Sequence, residues 1–425
     1  KIFVTETHRR KSRNISFLDE NAAIPSFERH KPEKSFLSLK PLAIDRVKME
    51  KYARQASLVF KSYPEIKNSY VEFSSDSVTK IFLSSEGVER VWRENNVRLY
   101  AYMWFHTNKC NIDTAVVVNT TNFDEIPSLS EFKKRIEKKI DELYKTEGGT
   151  QITSYTGPVL LAAVPAGLFI HEVVGHRLEG SRLLSDDEGR TFRDKTGEKI
   201  MHEDLTIYDD PTIRKWKGRS LTGSFSFDDE GTRPKRALLV ENGILRNFLT
   251  TRSPIRKKGF VNNGHARNQN HERSVSRMGN LVIESNGKYS FEGLKELLIK
   301  EIVKKKIPYG IILYDVEGGE TGTEAYNFQA FLGNITRAVK VFPDGREEHI
   351  RGVDFVGTPL SSLSNIIAVG RDLELDNGFC GAESGSVPVS TVSPALLLSG
   401  LELQAKEPNK VTQYILPLPW YEKKM

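Results

Sequence analysis

The segment Ala166-Gly-Leu-Phe-Ile-His171-Glu172-Val-Val-Gly-His176-Arg-Leu-Glu-Gly180 sets two histidines and a glutamate on one short apolar stretch. Adjacent His and Glu, with a second His one turn on, offer two metal ligands and a general base together. The spacing departs from the familiar His-Glu-x-x-His, because here the histidines are five apart. On a regular α-helix, side chains four apart differ by about 40° around the axis, and side chains five apart by about 140°. Two imidazoles that far apart do not meet on one ion. Joint ligation therefore demands a helix widened by one residue between them. A π-bulge does this, and such bulges are frequent at functional sites. Gly175, directly before His176, eases the distortion. The competing reading is a core helix whose histidines are incidental.

A catalytic zinc usually has three protein ligands and an open position. The candidates for the third ligand are Cys380, Cys110, His202, His265, His271 and any carboxylate. Cys380 stands out by context, in Asn377-Gly-Phe-Cys380-Gly-Ala-Glu-Ser-Gly-Ser-Val-Pro388. Glycines 378, 381 and 385 let the backbone approach an ion closely. The alternative is a small buried residue in a turn, although buried structural cysteines favour smooth apolar strands. Cys110 follows a polar Thr-Asn-Lys and reads as an ordinary cysteine. His271-Glu272 and His202-Glu203 have no histidine four or five residues later and read as loop. Two further stretches have the look of site loops: Val261–Asn268, with His265 and Arg267, and Glu317–Thr323. The second lacks the Walker lysine and the double-glycine fingerprint, so it is no phosphate loop. For both, an ordinary turn is as good a reading.

The elements that must position these residues fall into two parts. Residues 1–150 read as an N-terminal α/β domain, and residues 151–425 as a β-rich domain carrying the histidine helix. Residues 1–40 read as a loose basic arm. Pro41–Tyr63 has helical periodicity. Ser69–Ser75 and Val78–Ser84 alternate like strands, a turn follows at Ser85–Gly87, and Asn96–Thr107 and Asp113–Asn119 are further strand candidates. Ser128–Tyr144 reads as a capped amphipathic helix with Lys133, Lys134, Lys138 and Lys139 on its solvated face. Beyond Gly148-Gly149 come a short strand, Pro158–Leu161, and the motif helix with Pro165 near its start. Residues 181–220 lack periodicity and read as a long loop region beside the site. Leu221–Phe227, Ala237–Val240, Ile244–Leu249, Ile311–Val316, Lys340–Phe342 and Glu347–Arg351 read as strands, and Glu-Asn-Gly243 and Pro-Asp-Gly345 as hairpin turns. One helix interrupts them, Glu292–Lys305. The fold class expected is α+β, with an antiparallel β domain of barrel or sandwich type at the C-terminal end.

Composition narrows the function classes. The chain has 425 residues, 38% of them hydrophobic and 28% charged, which describes a globular protein large enough for real cores. Its net charge of +6 is a small excess of 62 bases over 56 acids, which gives no case for nucleic acid. The basic clusters Arg256–Lys258 and Lys304–Lys306 read as solvated faces. Two cysteines form no disulfide framework. The longest apolar run, Val159–Ile170, is too short for a membrane span and contains Pro165. The chain begins at Lys1, so what precedes it is open, a signal peptide included. The compartment expected is the cytoplasm.

Taken together, His171-Glu-Val-Val-Gly-His176-Arg-Leu-Glu-Gly180 with the preceding Tyr155-Thr-Gly-Pro-Val-Leu-Leu161 resembles the TldD/PmbA metalloproteases, once called modulators of DNA gyrase. So do Asn263-Gly-His-Ala-Arg267, Gly318-Gly-Glu-Thr321 and Gly378-Phe-Cys-Gly381 with Ser386-Val-Pro388. The resemblance spans residues 65–405 and is strongest in the C-terminal part. It departs before residue 65 and over Gly322–Asn327. It implies a zinc peptidase of the active type, with the metal on His171, His176 and Cys380 and with Glu172 as the motif glutamate. It also implies a homodimer or a heterodimer with a related subunit, enclosing a chamber for extended or unfolded peptides. On that basis a zinc ion lowers the pKa of a bound water towards about 7, and Glu172 takes the proton and hands it to the leaving amine. A thiolate ligand makes the zinc a weaker Lewis acid, so modest turnover is expected. His265 or Arg267 would add a donor to the substrate. The competing function is a catalytically silent partner subunit, or a peptide-binding protein on the same fold.

Overall fold

The computed structural model describes residues 27–37, 40–184, 191–253, 255, 261–323 and 330–406. The N-terminal part contains β1 (Glu33–Phe36), α1 (Arg46–Ser57), β2 (Ile66–Leu83), β3 (Val88–His106), β4 (Asn111–Thr120) and α2 (Leu129–Glu147). The two alternating pieces Ser69–Ser75 and Val78–Ser84 run together into β2. Asp76 and Ser77 between them pair with Asn96 and Asn95 of β3 without a break in register. Pairing along a long partner carries a strand through residues that locally favour a turn. On β3, Leu99, Ala101, Met103 and Phe105 fall on one face and pack against Phe132, Ile136, Ile140 and Leu143 of α2. The Ser128 side chain caps α2 by accepting the Glu131 N–H. Lys134 and Lys138 are exposed as expected. Lys139 departs from the expected solvated face and pairs with Asp315 at 2.5 Å. Of the stretch read as a loose arm, residues 1–26 lie outside the described residues, and Glu33–Phe36 pairs in parallel with β3.

The C-terminal part is built on one large sheet. Its elements are β5 (Ser154–Leu161), α3 (Ala163–Ile170), β6 (Leu205–Asp209), β7 (Ala237–Glu241), β8 (Asn280–Ser285), α4 (Phe291–Lys305), β9 (Gly310–Thr321), β10 (Phe331–Val341), β11 (Glu347–Arg351), β12 (Val353–Gly357), α5 (Pro359–Ser364), β13 (Ile366–Ala382) and β14 (Gly385–Ala405). Five strands close on themselves. β14 pairs with β5, β5 with β9, β9 with β10, β10 with β12, and β12 with β14 again. Closure leaves these strands few open edges. All but the β5–β9 pair are antiparallel. Both faces of β5 are buried: Val159 and Leu161 join the main core, and Leu160 joins a second cluster with Leu294, Leu298 and Ile302 of α4. The main core also takes α3, whose Phe169 meets Phe331 edge-on at 5.5 Å. The fold is thus α+β, an N-terminal sheet with helices followed by a mainly antiparallel barrel. Among the described residues no helix is long and apolar enough to cross a membrane.

Several further expectations differ from the structure. Residues 181–220, read as a long loop region, contain β6, which pairs with β7 and β8 in the main sheet. The strand read over Ile244–Leu249 is limited to Ile244–Leu245. Leu221–Phe227 alternates in sequence but forms turns, although Leu221, Phe225 and Phe227 are buried. Its backbone runs against the chain at Gly279, where a Cβ on Gly223 would lie 2.0 Å from the Gly279 carbonyl oxygen. The alternation reflects loop packing and not a pleat. Glu317–Thr323, read as a site loop, continues β9 as far as Thr321. Asn377–Pro388, read as a glycine-rich loop, is the tip of the β13–β14 hairpin, paired from Asn377↔Ser390 to Ala382↔Gly385. Ladder bonds outweigh the weak strand preference of glycine there. The tight turn at the tip needs Gly385, whose φ is +83°. The hairpin signal after β7 is met by Asn242 and Gly243, with φ of 49° and 78°.

Candidate metal centre

The helix that carries the motif changes its winding at the first histidine. Ala163–Ile170 is α-helical, His171–Gly175 is a π-turn, and His176–Leu178 is a 3-10 turn. The His176 N–H donates to the His171 carbonyl across the wider turn. The extra residue rotates His176 back onto the face of His171. Their rings stand 4.9 Å apart at 88° to each other. Gly175 is needed for packing as well as for winding, since a Cβ there would lie 2.2 Å from Met278 Sδ. The Glu172 carbonyl is taken by the Arg177 guanidinium, which also donates to Thr321 Oγ1 at 2.6 Å and to the Gly322 carbonyl at 3.1 Å.

The β13–β14 hairpin brings Cys380 to this turn. Its Sγ lies 3.2 Å from His171 Nε2 and 3.3 Å from His176 Nε2. The three donor atoms lie within 4.8 Å of one another, and all three residues are buried. Among the described residues no other such group of His, Cys, Asp and Glu occurs. Burial opposes ionisation of Cys380, but His176 and His171 beside it hold its thiol well below the usual range. Burial likewise opposes protonation of the two histidines, yet Cys380 raises both, and His176 is raised further by Glu179. The three side chains thus favour deprotonation of the thiol, and a cation can replace the protons held among them. One sulfur and two nitrogens in a buried, closely spaced set suit zinc.

Glu172 is buried beside the donors, with Oε2 4.0 Å from His176 Nε2. Burial holds its carboxyl above the ordinary range, against the pull of His171 and His176. The bare backbone of Gly319 forms its wall, since a Cβ there would lie 2.9 Å from Glu172 Cγ. The Gly318-Gly-Glu-Thr321 stretch is therefore brought to the site, as a strand. Behind His176 lies Glu179, whose Oε2 is 3.2 Å from His176 Nδ1. Burial alone would raise the Glu179 carboxyl; His176, Arg182 and Arg277 bring it down to about 2. A carboxylate on the outer ring nitrogen fixes the tautomer and orientation of a metal-binding histidine.

The other sequence candidates are not brought to this cluster. His265 is fully buried, with Nδ1 2.8 Å from Asn263 Oδ1 and Nε2 3.2 Å from Asp209 Oδ1. Arg267 is buried and donates to the carbonyls of Met278 and Pro388, each at 2.7 Å. The bonds of both hold the framework, and neither reaches a donor atom of the cluster, so the substrate contact expected of them has no support in this geometry. His271 is exposed, His202 is partly buried beside Asp204, and Cys110 belongs to the N-terminal core. Sequence reasoning missed Glu179, Arg177, Arg182 and Arg277. Glu179 had a local signal, a carboxylate three residues after His176, about one helical turn on. Arg277 had none.

The PmbA/TldA metallopeptidase C-terminal domain family model matches residues 154–405. A metalloprotease of Archaeoglobus fulgidus is 35% identical over 242 residues, covering 56% of this chain and 51% of that protein. A protein of Saccharolobus solfataricus named a zinc metalloprotease TldD homolog is 24% identical over 359 residues, covering 82% of this chain and 74% of that one. The chain spans about half the length of several of the curated relatives it matches. The crystal structure of TldE from Thermococcus kodakarensis superposes with a TM-score of 0.63 at 16% identity, covering 93% of this chain and 82% of that chain. At that identity the likeness is one of fold.

Proposed function

Because the chain belongs to the PmbA/TldA metallopeptidase family, we propose that it hydrolyses extended or unfolded peptides, with a zinc ion on His171, His176 and Cys380 and with Glu172 as general base. The observation that carries this reading is the π-turn, which brings two histidines five residues apart onto one cysteine. Bound there, zinc supplies Lewis-acid polarisation of the scissile carbonyl and activation of the attacking water. Glu172 takes the proton of that water and hands it to the leaving amine. The Gly319 wall and the Arg177 grip on its own carbonyl hold Glu172 in place. With zinc bound, charge donation from Cys380 would temper the Lewis acid, so modest turnover is expected. β9 outruns β5, whose pairing with it ends at Leu313↔Leu161, so the far half of β9 keeps an edge with no partner strand among the described residues. An extended peptide can add there by backbone pairing, with little side-chain selectivity.

The reading includes assembly as a homodimer or with a related subunit, and a cytoplasmic location. A silent subunit of the same family is the competing role, and a complete donor set with a glutamate beside it argues against that. Metal analysis of the purified chain, joined to cleavage of an unstructured peptide with and without chelator, separates the two. Stoichiometric zinc and chelator-sensitive cleavage are expected, and Glu172→Gln is expected to keep the zinc and lose the cleavage. Zinc-free protein, or full activity in Glu172→Gln, would sink the mechanism.

A further inference from the structure

Cys380 meets His176 from 204 residues away in the chain. Two elements so distant need a register that the ion alone does not supply. Arg277 stands between them, fully buried. Its Nη2 donates to the Cys380 carbonyl at 2.6 Å, and its Nη1 donates to Ser384 Oγ at 2.8 Å and to the Gly385 carbonyl at 3.0 Å. Its Nε lies 3.4 Å from Glu179 Oε1, an ion pair in which neither atom makes a hydrogen bond. Glu179 Oε2 in turn lies 3.2 Å from His176 Nδ1, and His176 Nε2 lies 3.3 Å from Cys380 Sγ. The contacts close a ring through His176, Glu179, Arg277 and Cys380.

Resting on the zinc-peptidase reading above, we propose that Arg277 is a positioning residue for the metal donors, a clasp that holds the Cys380 hairpin in register with the π-turn through Glu179. A buried ion pair is by itself weak evidence of stabilisation, because desolvation of the charges offsets their attraction. The direction of the fork matters more than its charge. A planar guanidinium has donors in fixed directions, and here its two Nη groups go to the hairpin turn and to the backbone of a donor residue, while its Nε edge lies in ion-pair range of the carboxylate behind another donor. Arg267 makes the contrast: it is also buried, but its Nη1 serves only the carbonyls of Met278 and Pro388. The two ends of the clasp have separable effects. Glu179 keeps Arg182 as a partner, at 2.8 Å, when Arg277 is removed, so His176 stays oriented. The hairpin tip loses all its bonds to the guanidinium, so the change falls on Cys380. Removing the Glu179 charge acts on His176 instead.

The test uses the full chain, stripped of metal and titrated with zinc against a chromogenic chelator, and with cobalt followed by absorption. Arg277→Met and Glu179→Gln are each expected to weaken zinc binding by about 10–100-fold, the usual size of losing an outer-shell partner. The sulfur-to-cobalt charge-transfer band should fade in Arg277→Met and persist in Glu179→Gln, a split that general loosening of the core does not produce. Arg277→Lys keeps the charge without the fork and should fall between wild type and Arg277→Met. A folded Arg277→Met with wild-type zinc affinity and a full cobalt–thiolate band overturns the proposal. If Arg277→Met does not fold, the same result in Arg277→Lys overturns it. Wild-type protein that binds neither ion defeats the zinc reading and this clasp together, whereas wild-type binding with indifferent variants defeats the clasp alone.

Discussion

His171 and His176 are visible in the sequence for one reason and Cys380 for another. The histidines drew attention because their spacing fits no regular helix. The cysteine drew it because glycines surround it. Their supports were less visible. Arg277 lies among polar residues with no period, and a contact made across a hundred positions leaves no local trace. The same holds for Glu317, which reads as a loop residue but lies on β9. Glu317 is exposed at the surface, yet the protein packed around its carboxyl desolvates it and pushes it up to about 7, against the pull of Lys139 and Lys406. A raised pKa means the folded protein binds that proton more tightly than the unfolded chain does. The associated stability is complete below the ordinary carboxylate range and is lost as pH rises through about 7. Glutamine carries no such penalty. The melting temperature of Glu317→Gln relative to wild type should therefore climb from about pH 4 to pH 7 and level off above that. Because the residue is exposed, solvent screens the effect and the climb should be small. A difference that stays flat across that window would contradict the assignment.

Among elements, the π-turn was readable because an α-helix cannot aim side chains at positions i and i+5 together. No equivalent constraint acts on Leu221–Phe227, where a loop buries alternate residues without being a strand. Nor could residue types alone tell the hairpin tip at Gly378–Gly385 from a loop, because glycine is neutral about direction and only the partner strand decides. What holds the π-turn is packing on its convex side, and Gly175 is the test. Alanine there gains roughly 1 kcal/mol of helix propensity. Against this, its Cβ would lie 2.2 Å from Met278 Sδ, in a core where Met278 has no exposed surface. Overpacking of that kind costs about 1–3 kcal/mol, so the clash outweighs the gain in propensity. Gly175→Ala should be less stable than wild type in chemical denaturation and should bind zinc more weakly. The loss should be partly coupled to Met278, so that adding Met278→Ala to Gly175→Ala destabilises less than the sum of the two single changes. A Gly175→Ala protein as stable as wild type would mean that the turn does not depend on the missing side chain.

At the scale of the molecule, the segments before and after Gly148-Gly149 form two separate sheets with separate apolar clusters. The N-terminal core runs from Ala56 to Leu143, and the three other buried clusters all begin at Ile152 or later. Across this boundary Trp92 packs edge-on against Phe227 at 5.6 Å, both rings buried, and the remaining contacts are mainly polar. Asn119 and Asn377 exchange side-chain-to-carbonyl bonds at 2.7 and 3.0 Å, Arg337 pairs with Glu142 at 2.7 Å, and the Ser220 N–H donates to Glu125 at 2.8 Å. Net contributions of such bonds are about 0.5–1.5 kcal/mol each, because water replaces a lost partner. Exposing them, together with the Phe227 ring that Trp92 covers, is less damaging than opening a core. The barrel closes through its own strands, and His171, His176, Cys380, Glu179 and Arg277 all come from after the boundary. Residues 148–425 expressed alone should therefore fold as one cooperative unit and bind zinc with nearly the affinity of the full chain. Thermal unfolding with and without zinc would measure both properties. Asn377 is the residue most at risk, since it holds the N-terminal sheet three residues before Cys380. A fragment that folds but binds zinc tenfold or more weakly would show that the N-terminal sheet sets the hairpin through that residue. A fragment that does not fold would show that the two sheets form one cooperative unit despite their separate cores.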